Sequence, residues 1–184
     1  MALAARPWAA ELLHVWFRVL RPSDWFGSSD AVDRLLAERF ADDLDRLGSC
    51  GAEDFLDDPG TARAAILLFD QVPRNLFRDD QRAFAYDPLA RALTHGVLRR
   101  AWHRGLDGPG RQFIAMPLMH SEDIADQLLA LRFFAQEGLH EALRFSRAHY
   151  RMIARFGRFP HRNATLGRTS TLAEKRAIEA GFAW

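Results

Sequence analysis

Cysteine and lysine are nearly missing from this chain, which has one of each, Cys50 and Lys175, in 184 residues. A single cysteine excludes an internal disulfide and a cysteine zinc cage, and it suits a reducing compartment, so the cytoplasm is the expected location. Long apolar runs are missing too. The longest, from Ala64 to Phe69, has six residues, and Arg6, Glu11, His14 and Arg18 interrupt the first twenty. Neither a membrane span nor a secretory leader is therefore expected. Net charge is only +1, which makes nucleic acid an unlikely partner, because nucleic-acid binders are usually basic overall. What the chain does have is bulk: 48% hydrophobic residues, with 14 Phe, 5 Trp and 2 Tyr. A chain of this size buries roughly 70% of the surface its unfolded form exposes. One compact domain over residues 1–184 is the expectation.

The small net charge hides an asymmetry. Residues 1–143 hold 16 basic and 22 acidic groups, whereas residues 144–184 hold 9 and 2. The basic end reads in two ways, as a phosphate-binding surface or as a segment neutralised by the acidic helices before it. Arginine supplies all but one of the basic groups, which suits bidentate contacts to carboxylate or phosphate.

Hydrophobic spacing is helical throughout. Trp8, Leu12, Val15, Trp16 and Val19 form one apolar face after Pro7, and Ser29 or Asp30 caps a second helix with Val32, Leu35, Leu36, Phe40, Leu44 and Leu47 inward. Asp58, Pro59 and Gly60 introduce an apolar segment from about Thr61 to Asp70, read as a central buried helix that Pro73 breaks or kinks. Asp87 before Pro88 predicts a cap and first turn, Gly105 to Gly110 a loop, and Ser121 a cap with Glu122 and Asp123 in the following turn. A helix from about Leu139 to Phe156 turns Ala142, Phe145, His149, Met152, Ile153 and Phe156 to one side, and Thr171 with Glu174 spells a capping box. The expectation is all-α, seven to eight helices stacked as antiparallel hairpins.

Three polar segments interrupt this pattern. Asp70, Gln71, Arg74 and Asn75 follow the most apolar helix, where a charged pair spaced i, i+4 requires compensation. His120 with Glu122 sits where a helix N-terminus is predicted, offering an anion site, a metal pair or an acid/base pair. His161, Arg162 and Asn163 follow Phe159 and Pro160, and Arg144, Arg147, Arg151 and Arg155 form a stripe pointing toward them. Trp25 is a candidate aromatic wall. The glycine-rich run at 105–110 lacks the GK[ST] ending of a P-loop, and Cys50 has no sequence-adjacent histidine to activate it.

The strings LLFDQVPRNLFR at 67–78, MPLMHSED at 116–123 and RFGRFPHRNATLGR at 155–168 closely resemble the signature segments of domain of unknown function 924, as do DWF at 24–26 and AFAYDPLA at 83–90. The resemblance implies a tetratricopeptide-like right-handed superhelix and no established reaction. Its shared polar residues carry over as Asp70, Gln71, Arg74, Asn75, His120, Ser121, Glu122, His161, Arg162 and Asn163. The chain departs from the family's usual form at Phe69 and Met119, where Leu and Glu are expected.

Three functional readings stand at this point. The first is a binding module that uses Arg74, His161, Arg162 and Trp25 to hold a small anionic ligand or a peptide carboxylate. The alternative is a cofactor-light, hydrolase-like enzyme in which His120 or His161 is the base, Asp70 or Glu122 orients it, and Arg74 or Arg162 stabilises negative charge. A metal-assisted variant requires two histidines and a carboxylate to converge; no pattern names a cofactor. In the third reading the polar segments are one structural network.

Overall fold

The computed structural model describes residues 6–181. Nine α-helical segments and no strand occur among them, and they gather into two compact units that meet in sequence between Leu106 and Asp107.

Unit 1 begins with α1 (Pro7–His14), which a π-helical turn over Val15–Val19 prolongs. Trp8, Leu12 and Trp16 are buried from this segment, whereas Val19, expected on the same face, is exposed. α2 (Asp30–Leu47) is capped by Ser29, whose hydroxyl accepts from the Val32 N–H, and Gly48 ends it. α3 (Pro59–Asp70) is capped by Asp58, whose carboxylate accepts from the Gly60 and Thr61 N–H groups at 2.9 Å. Every residue from Thr61 to Asp70 is buried, as an all-round apolar helix demands. α3 packs against α1 and against α5 (Asp87–Arg99). A chain of rings ties these layers: Trp8 meets Phe55 edge-on, Phe55 meets Phe69, and Phe69 meets Tyr86, with centroids 5.4 to 6.2 Å apart. The helix pauses at Gln71 and resumes as the short α4 (Val72–Leu76), which accommodates Pro73 in its first turn and packs on α2.

Unit 2 holds α6 (Gly108–His120), α7 (Ile124–Gln136), α8 (His140–Phe156) and α9 (Leu172–Glu179). α7 packs on both α6 and α8. α9 lays Ala177 on Met152, Ile153, Phe156 and Phe159. Gly138 and Gly157 adopt the left-handed conformation that closes α7 and α8, and Thr171 and Glu174 form their capping box.

Three local expectations are corrected. The glycines at 108 and 110 open a helix instead of forming a loop, because the Asp107 carboxylate accepts from the Gly110 N–H at 2.8 Å and Pro109 fits the first turn. Asp123, not Ser121, caps α7, accepting from the Ala125 N–H at 2.8 Å. His120 is consequently the last residue of α6, at a carbonyl end, which removes the expected helix N-terminus beside it. Asp87 is likewise no cap, since α5 starts at that residue and its carboxylate faces Arg74.

Candidate functional site

In unit 1 the polar segment forms a clamp. The Arg74 guanidinium lies 3.3 Å from the Asp70 carboxylate, 2.9 Å from that of Asp87, and over the Phe84 ring at 5.7 Å. It also donates to the Asp70 carbonyl, while the Gln71 amide donates to the Asp70 carboxylate. Burial opposes the charge on Arg74, but Asp70 and Asp87 outweigh it and raise its pKa above the ordinary value. Asn75 donates back to the Gln71 carbonyl at 2.9 Å, and Arg78 extends the network to Asp33 with two bonds of 2.7 and 2.8 Å. These bonds tie the end of α3 to the start of α5 and α4 to α2. Trp25 lies elsewhere in the same unit, half-buried, donating its indole N–H to the Trp16 carbonyl at 2.9 Å and packing edge-on against Phe17 and Phe26.

The other two polar segments come together in unit 2, around the fully buried ring of Phe159. The kink at Gly157 and the turn at Pro160 fold the chain back beneath α8, which brings Phe159 against His149 at 5.4 Å between centroids. His161 lies 5.6 Å from the same ring, and the buried Arg162 guanidinium stands 4.5 Å from its centroid. His120, at the end of α6, faces His149 with centroids 6.3 Å apart. Glu122 holds the turn: it accepts the Phe159 N–H at 2.8 Å and a two-pronged pair of bonds from Arg168 at 2.7 and 2.9 Å. Arg168 also donates to the Phe159 carbonyl at 3.2 Å.

The electrostatics of this cluster favour neutral imidazoles. Burial pushes His149 down to about 3, helped by the neighbouring His120. Burial also lowers His161, to about 4, helped by the Arg162 guanidinium. Burial works against ionisation of Glu122, yet the bonds from Arg168 and Phe159 win and hold its carboxyl below the usual range. His149 donates its Nδ1–H to the Phe145 carbonyl at 2.9 Å, since a carbonyl can only accept, and this fixes the tautomer. Around Phe159, at neutral pH, the side chains thus supply fixed guanidinium charge, neutral imidazoles and one carboxylate that is already engaged. No three His, Cys, Asp or Glu are grouped to hold a metal ion among the described residues.

The candidate residues therefore divide. Asp70, Gln71, Arg74, Asn75 and Trp25 belong to unit 1; His120, Glu122, His161 and Arg162 belong to the Phe159 cluster. Asn163 is fully buried and bonds to Ser170 at 3.0 Å, anchoring the segment that leads to α9. The sequence reading missed His149 and Arg168 as members of the cluster. A histidine among Met152 and Ile153 on the buried face of α8 was the available signal for the first, because a buried imidazole needs partners. Arg168 had no local signal, since Glu122 is 46 residues away.

Similarity to known proteins agrees with this architecture. No curated protein is significantly similar to the chain. A solved structure of a protein of unknown function, ATU0120 from Agrobacterium tumefaciens, superimposes with a TM-score of 0.88 at 34% identity, over 94% of this chain and 97% of that one. The model of a family described as bacterial protein of unknown function (DUF924) matches residues 12–181, and the chain belongs to that family.

Proposed function

We propose that the protein is a helical binding module whose Phe159 cluster takes a small anionic ligand, a phosphate or a carboxylate, including the carboxylate of a peptide. The observation that carries this reading is the gathering of His149, His161 and Arg162 around one buried ring, with His120 facing His149, while both oxygens of Glu122 are engaged by Arg168 and the Phe159 N–H. Such a cluster offers the Arg162 guanidinium and the His120 and His161 imidazoles, the chemistry an anion needs, while His149 keeps its N–H on the Phe145 carbonyl. Values of about 3 and 4 for His149 and His161 also place both far from the range of an efficient proton shuttle at neutral pH, which favours binding over general base catalysis. Tetratricopeptide-like stacking of the hairpins and a cytoplasmic location belong to the same proposal, supported by the family resemblance and by the single cysteine. No described helix is long and apolar enough to cross a membrane.

The test follows the histidine ring resonances of the full chain at pH 7 while inorganic phosphate or acetate is added. Saturable shifts of His120 and His161 are expected, weakened in Arg162→Lys and abolished in Arg162→Gln. Equal responses in the wild type and in both folded variants would remove Arg162 from the site and overturn the proposal.

A further inference from the structure

The basic end of the chain is not absorbed by the Phe159 cluster. On α8, Arg147, Arg151 and Arg155 are all exposed and follow each other every four residues, so they line up along one side of the helix over about 12 Å. On α2, Glu38, Asp42 and Asp45 are exposed at intervals of four and three residues, a line of about 10.5 Å. None of the six takes part in an ion pair among the described residues; Asp45 lends a weak field to Arg82, and Arg155 covers the Phe156 ring at 4.9 Å. The two stripes thus have opposite sign, matching length and nearly matching spacing, and both stay solvent-facing in one molecule.

We propose that the arginine stripe of α8 docks on the acidic stripe of α2 in a second copy of this chain. Charge complementarity selects this occupant over a foreign polyanion. The acidic partner surface is already present on the same polypeptide, and the net charge of +1 leaves little general repulsion between copies. Arginine is suited to the role because each guanidinium can take a carboxylate two-pronged, as Arg78 takes Asp33 within unit 1. The contact joins two different patches, so it either repeats reciprocally across a two-fold axis, giving a dimer with two such contacts, or runs head to tail into a ring or a chain. Exposed ion pairs are individually weak, so the assembly forms at high protein concentration and low salt and dissolves as screening increases. The proposal is independent of the anion site, since none of the six residues is among His120, His149, His161 and Arg162, on which that site is built.

Sedimentation velocity of the full chain at about 0.01 M and about 1 M salt reads the state directly, because these conditions move the screening length from about 30 Å to about 3 Å. The expected result is concentration-dependent association at low salt and a monomer at high salt. Two charge-reversed proteins give the decisive arm: Arg147→Glu/Arg151→Glu/Arg155→Glu, and Glu38→Arg/Asp42→Arg/Asp45→Arg. Each alone should associate at least about tenfold more weakly, because like charges then oppose, and an equimolar mixture should recover association. An Arg→Gln triple variant serves the same purpose with less perturbation if circular dichroism shows that reversal costs folding. A wild-type monomer at low salt, an oligomer indifferent to the reversals, or a mixture that stays monomeric would each overturn the proposal. Retention of a monomeric wild type on single-stranded nucleic acid would overturn it in favour of a polyanion partner.

Discussion

Arg74 concentrates more charge chemistry than any other side chain in unit 1, because the Asp70 carboxylate beside it is 1% exposed. Removing the guanidinium leaves that carboxylate buried, and breaking a buried pair from one side costs about 3 to 5 kcal/mol. Arg74→Ala is therefore expected to lower the unfolding free energy by about 3 to 5 kcal/mol, read as a lower urea midpoint at an unchanged slope, while Arg74→Lys recovers part of the loss through charge alone. A change within about 0.5 kcal/mol, the range of ordinary surface substitutions, would show that Gln71 and the backbone satisfy Asp70 without it. The i, i+4 spacing made the Asp70–Arg74 pair legible in the sequence. Asp87 was not legible as the second partner: Asp before Pro is a strong cap signal, and only the packing of α3 on α5 turns its carboxylate to Arg74.

Element boundaries show where local chemistry is decisive and where it is ambiguous. Asp58 before Pro59 and the Thr171–Glu174 box could be read directly, because each motif satisfies particular backbone groups. Glycine and proline at 108–110 fit a loop and a first helical turn equally well, and the Asp107 carboxylate decides between them. Ser121 and Asp123 compete for one cap; Ser121 instead donates to Asp126 at 2.8 Å, leaving Asp123 to the helix. The end of α5 is the least legible, since Ala101 occupies the left-handed position at φ 55° where glycine is usual. That conformation costs an L-residue about 1 to 2 kcal/mol. Ala101→Gly is expected to raise stability, by roughly 1 kcal/mol once the added freedom of the unfolded chain is subtracted. A lower melting temperature would mean that the Ala101 methyl makes packing contacts worth more than the strain.

Across the whole molecule, the long-range part of the candidate site escaped the sequence for a physical reason. Periodicity orders neighbours three and four residues apart, whereas the Phe159 cluster is assembled by Glu122 and Arg168, 46 residues apart, and by the return of the chain beneath α8. The same assembly gives unit 2 a defined response to acid. His149, neutral in the fold down to about 3, and His161, down to about 4, both bind protons near pH 6.5 once unfolded. The unfolded state therefore holds more protons than the fold below that pH, and stability falls as pH falls, by about 1.4 kcal/mol per pH unit for His149 alone. Glu174, held at about 2 by Arg158 and by the Thr171 N–H, acts in the same direction: its contribution is complete above its ordinary value near 4.5 and is lost as pH drops toward 2. Glu122 shares that sign. All four groups lie after Asp107, but only the two histidines act between pH 7 and 5, so lowering the pH over that range should deprotect amides of α8, which carries His149, in hydrogen exchange once rates are corrected for intrinsic chemistry; the loss from Glu174 at the start of α9 follows only below about 4.5. His149→Gln should flatten this dependence between pH 6 and 4, because the substituted side chain takes up no proton in either state. If its profile instead parallels the wild type, the imidazole is already charged in the fold, and the neutral cluster on which the anion site is built would have to be abandoned.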